Sequence, residues 1–186
     1  MPTIGLFAIG EISLELLSRL TACLEERFLF GFTIEAPLPI PASAYNISKK
    51  QYFAPTILKK VKISPSSKLH FAVGLTPVDL YGTDMNFMYG AANRSERIAI
   101  VSTHRLKPEY YGNPASPDIF FGRLLKEITQ QLIHCMGGKN CYSRTCVMHA
   151  TKNVYEIDSK DSLFCYDCER KIRQLTATEQ QSPESI

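Results

Sequence analysis

Five cysteines, Cys135, Cys141, Cys146, Cys165 and Cys168, crowd into one C-terminal stretch, while Cys23 stands alone near the start. Four residues separate Cys141 from Cys146, and two separate Cys165 from Cys168. Two close thiolate pairs joined by a connecting loop can converge tetrahedrally, the geometry zinc accepts at about 2.3 Å per Zn–S bond. A cage of four thiolates leaves no open position for water, so it holds a fold together and carries out no reaction. A redox-active Cys165-x-x-Cys168 and four unrelated buried thiols are the alternatives. The redox reading needs the strand-to-helix setting of a thioredoxin-like unit, which the flanking sequence lacks, so zinc is favoured. A reducing compartment is expected, and there clustered thiols serve as ligands more often than as disulfides.

The second chemistry-bearing segment is Gln130-Gln131-Leu132-Ile133-His134-Cys135-Met136-Gly137-Gly138-Lys139-Asn140-Cys141. It resembles the active-site stretch of the archaemetzincins, a branch of the metzincin zinc peptidases. Their pattern is H-E-x-x-H-x-x-G-x-x-H-C, a second cysteine five on, a methionine two further, and a distant C-x-x-C. Gly137, Cys141, Cys146, Met148, Cys165 and Cys168 occupy the matching positions. Upstream, the stretches Gly74–Tyr81, Asn86–Gly90 and Arg97–Ser102, with Arg105-Leu106, resemble the family's central strands. The resemblance runs from about Gly74 to Ile172, with a compatible N-terminal third.

The departures fall on the catalytic groups. In an active metzincin, two histidines one helical turn apart bind zinc, the intervening Glu is the general base, and a third His follows a glycine turn. Here His134 is the second of these histidines. Gln130 replaces the first, Gln131 replaces the Glu, and Asn140 replaces the third. Carboxamides are poor zinc ligands beside imidazole or thiolate, and the Gln131 amide cannot take a proton from water near neutral pH. Rescue by other side chains is disfavoured. Cys135 adjoins His134 and so points to another helix face, and His104 and His149 are lone histidines of the kind usually hydrogen-bonded. His134 is expected in the cleft, bonded to a neighbour or water, and Met148 is the methionine that would floor the metal site.

The resemblance thus implies a catalytically inactive zinc-peptidase homologue with one structural zinc on Cys141, Cys146, Cys165 and Cys168. It also implies a cleft beside a strand at Met85–Tyr89 where an extended peptide could add as a β-strand. The alternative is an active zinc peptidase with unusual catalytic-metal ligands. A third reading is a nucleic-acid-binding zinc ribbon, with Lys171 and Arg173 beyond the cage. Against it, 21 Lys and Arg balance 18 Asp and Glu for a net charge of +3. That excess is too small to argue for nucleic acid or an anionic membrane, so those residues read as a solvated face.

The elements that must position these groups are legible from periodicity. The 186 residues fit one domain, or one with a small appendage, and 45% hydrophobic with 21% charged residues exclude wholesale disorder. No apolar run approaches the roughly 20 residues of a membrane span, and the N-terminus lacks a basic leader, so a soluble cytoplasmic protein is expected. Strands are predicted at 3–9, 31–34, 69–73, 85–89 and 97–102. Helices are predicted at about 13–27 (N-cap Ser13), 55–63, 118–136 and 167–175, with loops at 42–54 and 107–117. The longest helix is capped by Ser116-Pro117-Asp118 and stopped by Gly137-Gly138. The expected fold is α/β (α+β), a metzincin-like twisted mixed sheet with a backing helix, an active-site helix and a zinc-stapled C-terminal subdomain. The expected division is 1–137 for the metzincin-like part, 138–176 for the cysteine subdomain and 177–186 for a flexible tail.

Overall fold

The computed structural model describes residues 2–28, 30–61 and 68–181, the last four by backbone alone. The chain opens with strand β1 (Thr3–Ala8) and helix α1 (Leu14–Arg27). The Ser13 side chain caps α1 by accepting from the Leu16 N–H, and Leu17, Leu20 and Leu24 form its buried stripe. Strand β2 (Gly31–Ile34) follows, in the interval the sequence predicts. The prolines at 37, 39 and 41 then release the chain from the sheet.

Residues 42–54, expected as a loop, carry a 3-10 turn and two short strands, β3 (Tyr45–Asn46) and β4 (Gln51–Phe53). With β6 (Leu80–Tyr81) they form a small sheet in the order β3-β4-β6. These strands are two or three residues long, too brief for a readable period. Helix α2 (Ala54–Leu58) has Pro55 in its first turn but is shorter than expected, and residues 62 and 63 of that prediction lie outside the described residues.

The main sheet adds β5 (Phe71–Thr76), β7 (Gly90–Asn93) and β8 (Ile98–Ser102), in the order β2-β1-β5-β8-β7. All pairings are parallel except β7 with β8, so β7 is an antiparallel edge strand. Every residue of β5 and β8 is buried, as befits central strands covered on both faces. One face packs with Leu17, Leu20 and Leu24 of α1 and with Leu124, Ile128 and Leu132 of the long helix, while the other packs on Ile57 and Leu58 of α2.

The strand expected at 85–89 is corrected. Those residues form a loop held by a Leu80–Met88 bridge and by the Tyr89 carbonyl, which accepts from the Ser102 N–H at 2.7 Å, and the edge strand begins at Gly90. Phe87 stacks under the Arg105 guanidinium at 4.4 Å, and the Asn86 carbonyl accepts from the Gln51 amide at 2.9 Å, so this apolar run serves as a wall.

The long helix, α3 (Pro117–Cys135), is capped by Ser116 and ends before Gly137, whose φ of +93° suits glycine. The expected loop 107–117 contains a 3-10 turn at Pro108–Tyr111. A helix that the periodicity does not reveal, α4 (Val154–Ser159), has an Asn153 N-cap accepting from the Glu156 N–H. Its Asn-x-x-Glu spacing resembles a capping box and is visible in the sequence. Helix α5 (Tyr166–Gln181) runs past Thr176, where fraying was expected. Residues 182–186 of the expected tail lie outside the described residues. Among the described residues no helix is long and apolar enough to cross a membrane.

Candidate metal cage and cleft

The four cysteines singled out by spacing meet in space. Their sulfurs all lie within 4.8 Å of one another, with Cys141 and Cys165 at 3.7 Å. Ligands on a tetrahedral ion with 2.3 Å bonds stand about 3.8 Å apart, so the four thiols fit zinc. Cys146 is buried, and the others are partly exposed. The cage is knit by backbone contacts. Cys141 N–H donates to the Met148 carbonyl at 2.9 Å, and Cys165 N–H points to the Cys146 sulfur at 3.4 Å. Burial pushes the Cys146 thiol up, whereas the Cys168 backbone N–H holds the Cys165 thiol below its usual range.

The second group lines a cleft of about 480 Å³ between the 84–90 loop, α3 and the 150–152 segment. Gln130, Gln131, His134 and Asn140 all face it. Residues 127, 130, 131 and 134 share one face of α3 because three- and four-residue steps on a helix bring side chains together. The Gln130 amide donates to Asn140 Oδ1 at 3.1 Å, so these two carboxamides touch. His134 Nδ1 bonds the Gly138 carbonyl at 2.9 Å, the neighbour expected for it. The Gln131 side chain lies against Gly90: a Cβ there would meet Gln131 Cγ at 2.8 Å and the Ile100 carbonyl at 2.7 Å. Glycine at 90 lets α3 approach the edge strand this closely.

Two charged residues that sequence reasoning passed over support the cleft, Glu127 in its lining and Lys160 behind Gln130. Lys160 and Glu127 are buried, at 2% exposure each, with Nζ and Oε1 3.5 Å apart. Lys160 also donates to Gln130 Oε1 at 2.9 Å and to the His149 carbonyl at 3.4 Å. Burial pushes the Glu127 carboxyl up and the Lys160 ammonium down, each opposed by the other's charge. Lys160 was hidden in the polar run Asp158-Ser159-Lys160-Asp161-Ser162, which reads as solvated surface. Glu127 carried a signal, since it stands one turn before Gln130 on the inward face of the helix.

The remaining candidates are scattered. Cys135 is buried, with burial pushing its thiol up to about 12, and it lies on another face from His134. The His104 ring packs edge-on against Tyr110 in the 3-10 turn after β8 and does not line the cleft. The His149 ring bonds the Cys141 carbonyl at 2.9 Å, and its own carbonyl accepts from the Gln130 amide at 3.2 Å. Met148 is 1% exposed and belongs to the main core cluster.

A mixed sheet with a long helix packed against its antiparallel edge strand, and a cleft between that helix and the 84–90 loop, define an α/β fold with a candidate site. The family model of peptidase family M54 matches residues 40–174, and the chain belongs to that family. An archaemetzincin of Pyrococcus furiosus is 36% identical over 172 residues, covering 89% of this chain and 90% of its own. The crystal structure of an archaemetzincin from Methanopyrus kandleri is similar at TM-score 0.80 and 27% identity, over 95% of this chain and 96% of that one. The structure of a zinc-dependent peptidase from Methanocorpusculum labreanum is similar at TM-score 0.81 and 25% identity, over 91% and 99% of the two chains.

Proposed function

We propose that this chain is a non-catalytic member of its family that keeps one structural zinc on Cys141, Cys146, Cys165 and Cys168 and binds extended peptides in the cleft. The observation that carries the reading is the state of the Gln130 amide. Its oxygen accepts from Lys160 and its nitrogen donates to Asn140 and the His149 carbonyl. Both ends are satisfied within the protein, and its neighbour Gln131 has no basic atom to accept a proton from water. The antiparallel edge strand β7, beside the cleft, supports addition of a peptide strand. Cysteines gathered as metal ligands suit a reducing compartment, the cytoplasm. The division into 1–137 and 138–176 remains part of this proposal, with the cage as the staple of the second part.

Kinship with zinc-dependent peptidases favours the second reading, an active enzyme with unusual ligands. Zinc per chain and peptide cleavage separate the two. The first reading expects one zinc and no cleavage of unstructured peptides in added zinc. Two zincs per chain, with cleavage abolished by a chelator that spares the cage, would establish the second.

A further inference from the structure

The cage and the cleft floor share a backbone turn. The His149 N–H donates to the Cys146 carbonyl at 2.9 Å, and the His149 ring bonds the Cys141 carbonyl at 2.9 Å. This one residue is therefore pinned by both cysteines of the first pair. Its carbonyl accepts from Gln130 at 3.2 Å and from Lys160 at 3.4 Å. A second connection runs through the chain around Lys160. The Asp161 N–H donates to the Thr145 carbonyl at 2.7 Å, and the Val147 N–H donates to the Leu163 carbonyl at 3.0 Å, so Lys160 rides on the loop that carries Cys146.

We infer that Lys160 is a positioning residue that couples metal in the cysteine cage to the arrangement of Gln130 and Asn140 in the cleft. The metal-loaded cage fixes the His149 carbonyl, and that carbonyl with Lys160 fixes both ends of the Gln130 amide. Gln130 then orients Asn140, the residue immediately before Cys141. Removing the metal frees the turn and with it the hydrogen-bonding face of the cleft. Coupling of this kind is reciprocal: whatever the cage does for the floor, the floor does for metal affinity. A cage of four thiolates and one divalent ion carries two net negative charges, so a buried ammonium tied to the same loop also favours the loaded state.

This inference rests on the cage holding zinc, and the experiment is a competition titration of zinc against a chromophoric chelator. Parent, Lys160→Met and Gln130→Leu proteins are compared. Lys160→Met removes both the charge and the strut. Gln130→Leu changes no charge and removes the amide that bonds the His149 carbonyl, Lys160 and Asn140, so it decides the matter if Lys160→Met fails to fold. Both variants are expected to bind zinc at least about five-fold more weakly, the lower end of ordinary coupling energies. Ile57→Ala, a destabilising control in the core on the opposite face of the sheet, is expected to leave zinc affinity unchanged. Folded Lys160→Met or Gln130→Leu protein that holds zinc as tightly as the parent would overturn the coupling. A parent that binds no zinc would instead overturn the cage reading on which it rests.

Discussion

Rebuilding the family's metal site on α3 is the most demanding trial of the geometry. The perturbation is Gln130→His, Gln131→Glu and Asn140→His in one protein. Imidazole nitrogens on a tetrahedral zinc with bonds of about 2.0–2.1 Å stand about 3.3 Å apart. The Gln130 amide nitrogen and Asn140 Oδ1 are already 3.1 Å apart, so the two new rings start near ligand spacing. His134 Nδ1 is engaged by the Gly138 carbonyl at 2.9 Å, which leaves Nε2 for an ion and fixes the ring as backbone carbonyls do for metal-binding histidines. The substitution has a cost, because a histidine at position 130 no longer offers the oxygen that Lys160 bonds at 2.9 Å. An under-satisfied buried donor of this kind costs about 1–3 kcal/mol. The metal-free variant should therefore melt below the parent. Zinc at a thousand-fold excess over its dissociation constant contributes about 4 kcal/mol, so the loaded variant should melt above its own metal-free form by more than that deficit. Elemental analysis should rise from one to two zincs per chain, and calorimetry with and without added zinc should show the crossing. A variant that folds normally yet still holds a single zinc would mean that positions 130, 134 and 140 do not converge.

Replacing Cys165 with Ser should release the cage zinc. A loss of about 4 kcal/mol lowers the melting temperature of a chain this size by roughly 8–16 °C, and a variant that melts like the parent under reducing conditions would refute the cage. Glu127→Leu should cost about 3–5 kcal/mol in urea unfolding because it strands the buried Lys160 charge, and adding Lys160→Met should recover most of the loss. Burial is the main cause that pushes the Tyr89 and Tyr111 phenols above their ordinary range, and their hydroxyls lie 3.4 Å apart. A pKa raised on folding contributes stability that is complete below the unfolded value, about 10, and fades as pH climbs above it. Absorbance at 295 nm should thus show two of the nine tyrosines titrating after the rest, with thermal stability falling over the same range. Simultaneous titration of all nine would contradict the buried placement.

The cysteine cage was legible because its signal is local spacing within each pair, and only the closure of the loop between the pairs had to be supplied by the fold. The caps of α1 and α3 were legible for the same reason, since Ser13 and Ser116 act on backbone three residues away. The chemistry of Gln130, Gln131 and Asn140 is likewise local, because a carboxamide lacks a basic atom whatever surrounds it. The 85–89 run was misread because its apolar residues have strand composition but spend it on packing beneath Arg105 and lining the cleft. Composition reports that a segment will be half-buried, and not whether its backbone pairs.

What the tertiary structure alone decided is where charge is buried. Nothing near Lys160 in the chain distinguishes it from its exposed neighbours Ser159 and Asp161. Its partners Glu127, Gln130 and His149 are 33, 30 and 11 residues away. Long-range contacts of this kind exist only once α3 and the cysteine loop have packed. An ammonium tolerates burial only where packing has already assembled the oxygens that replace its water.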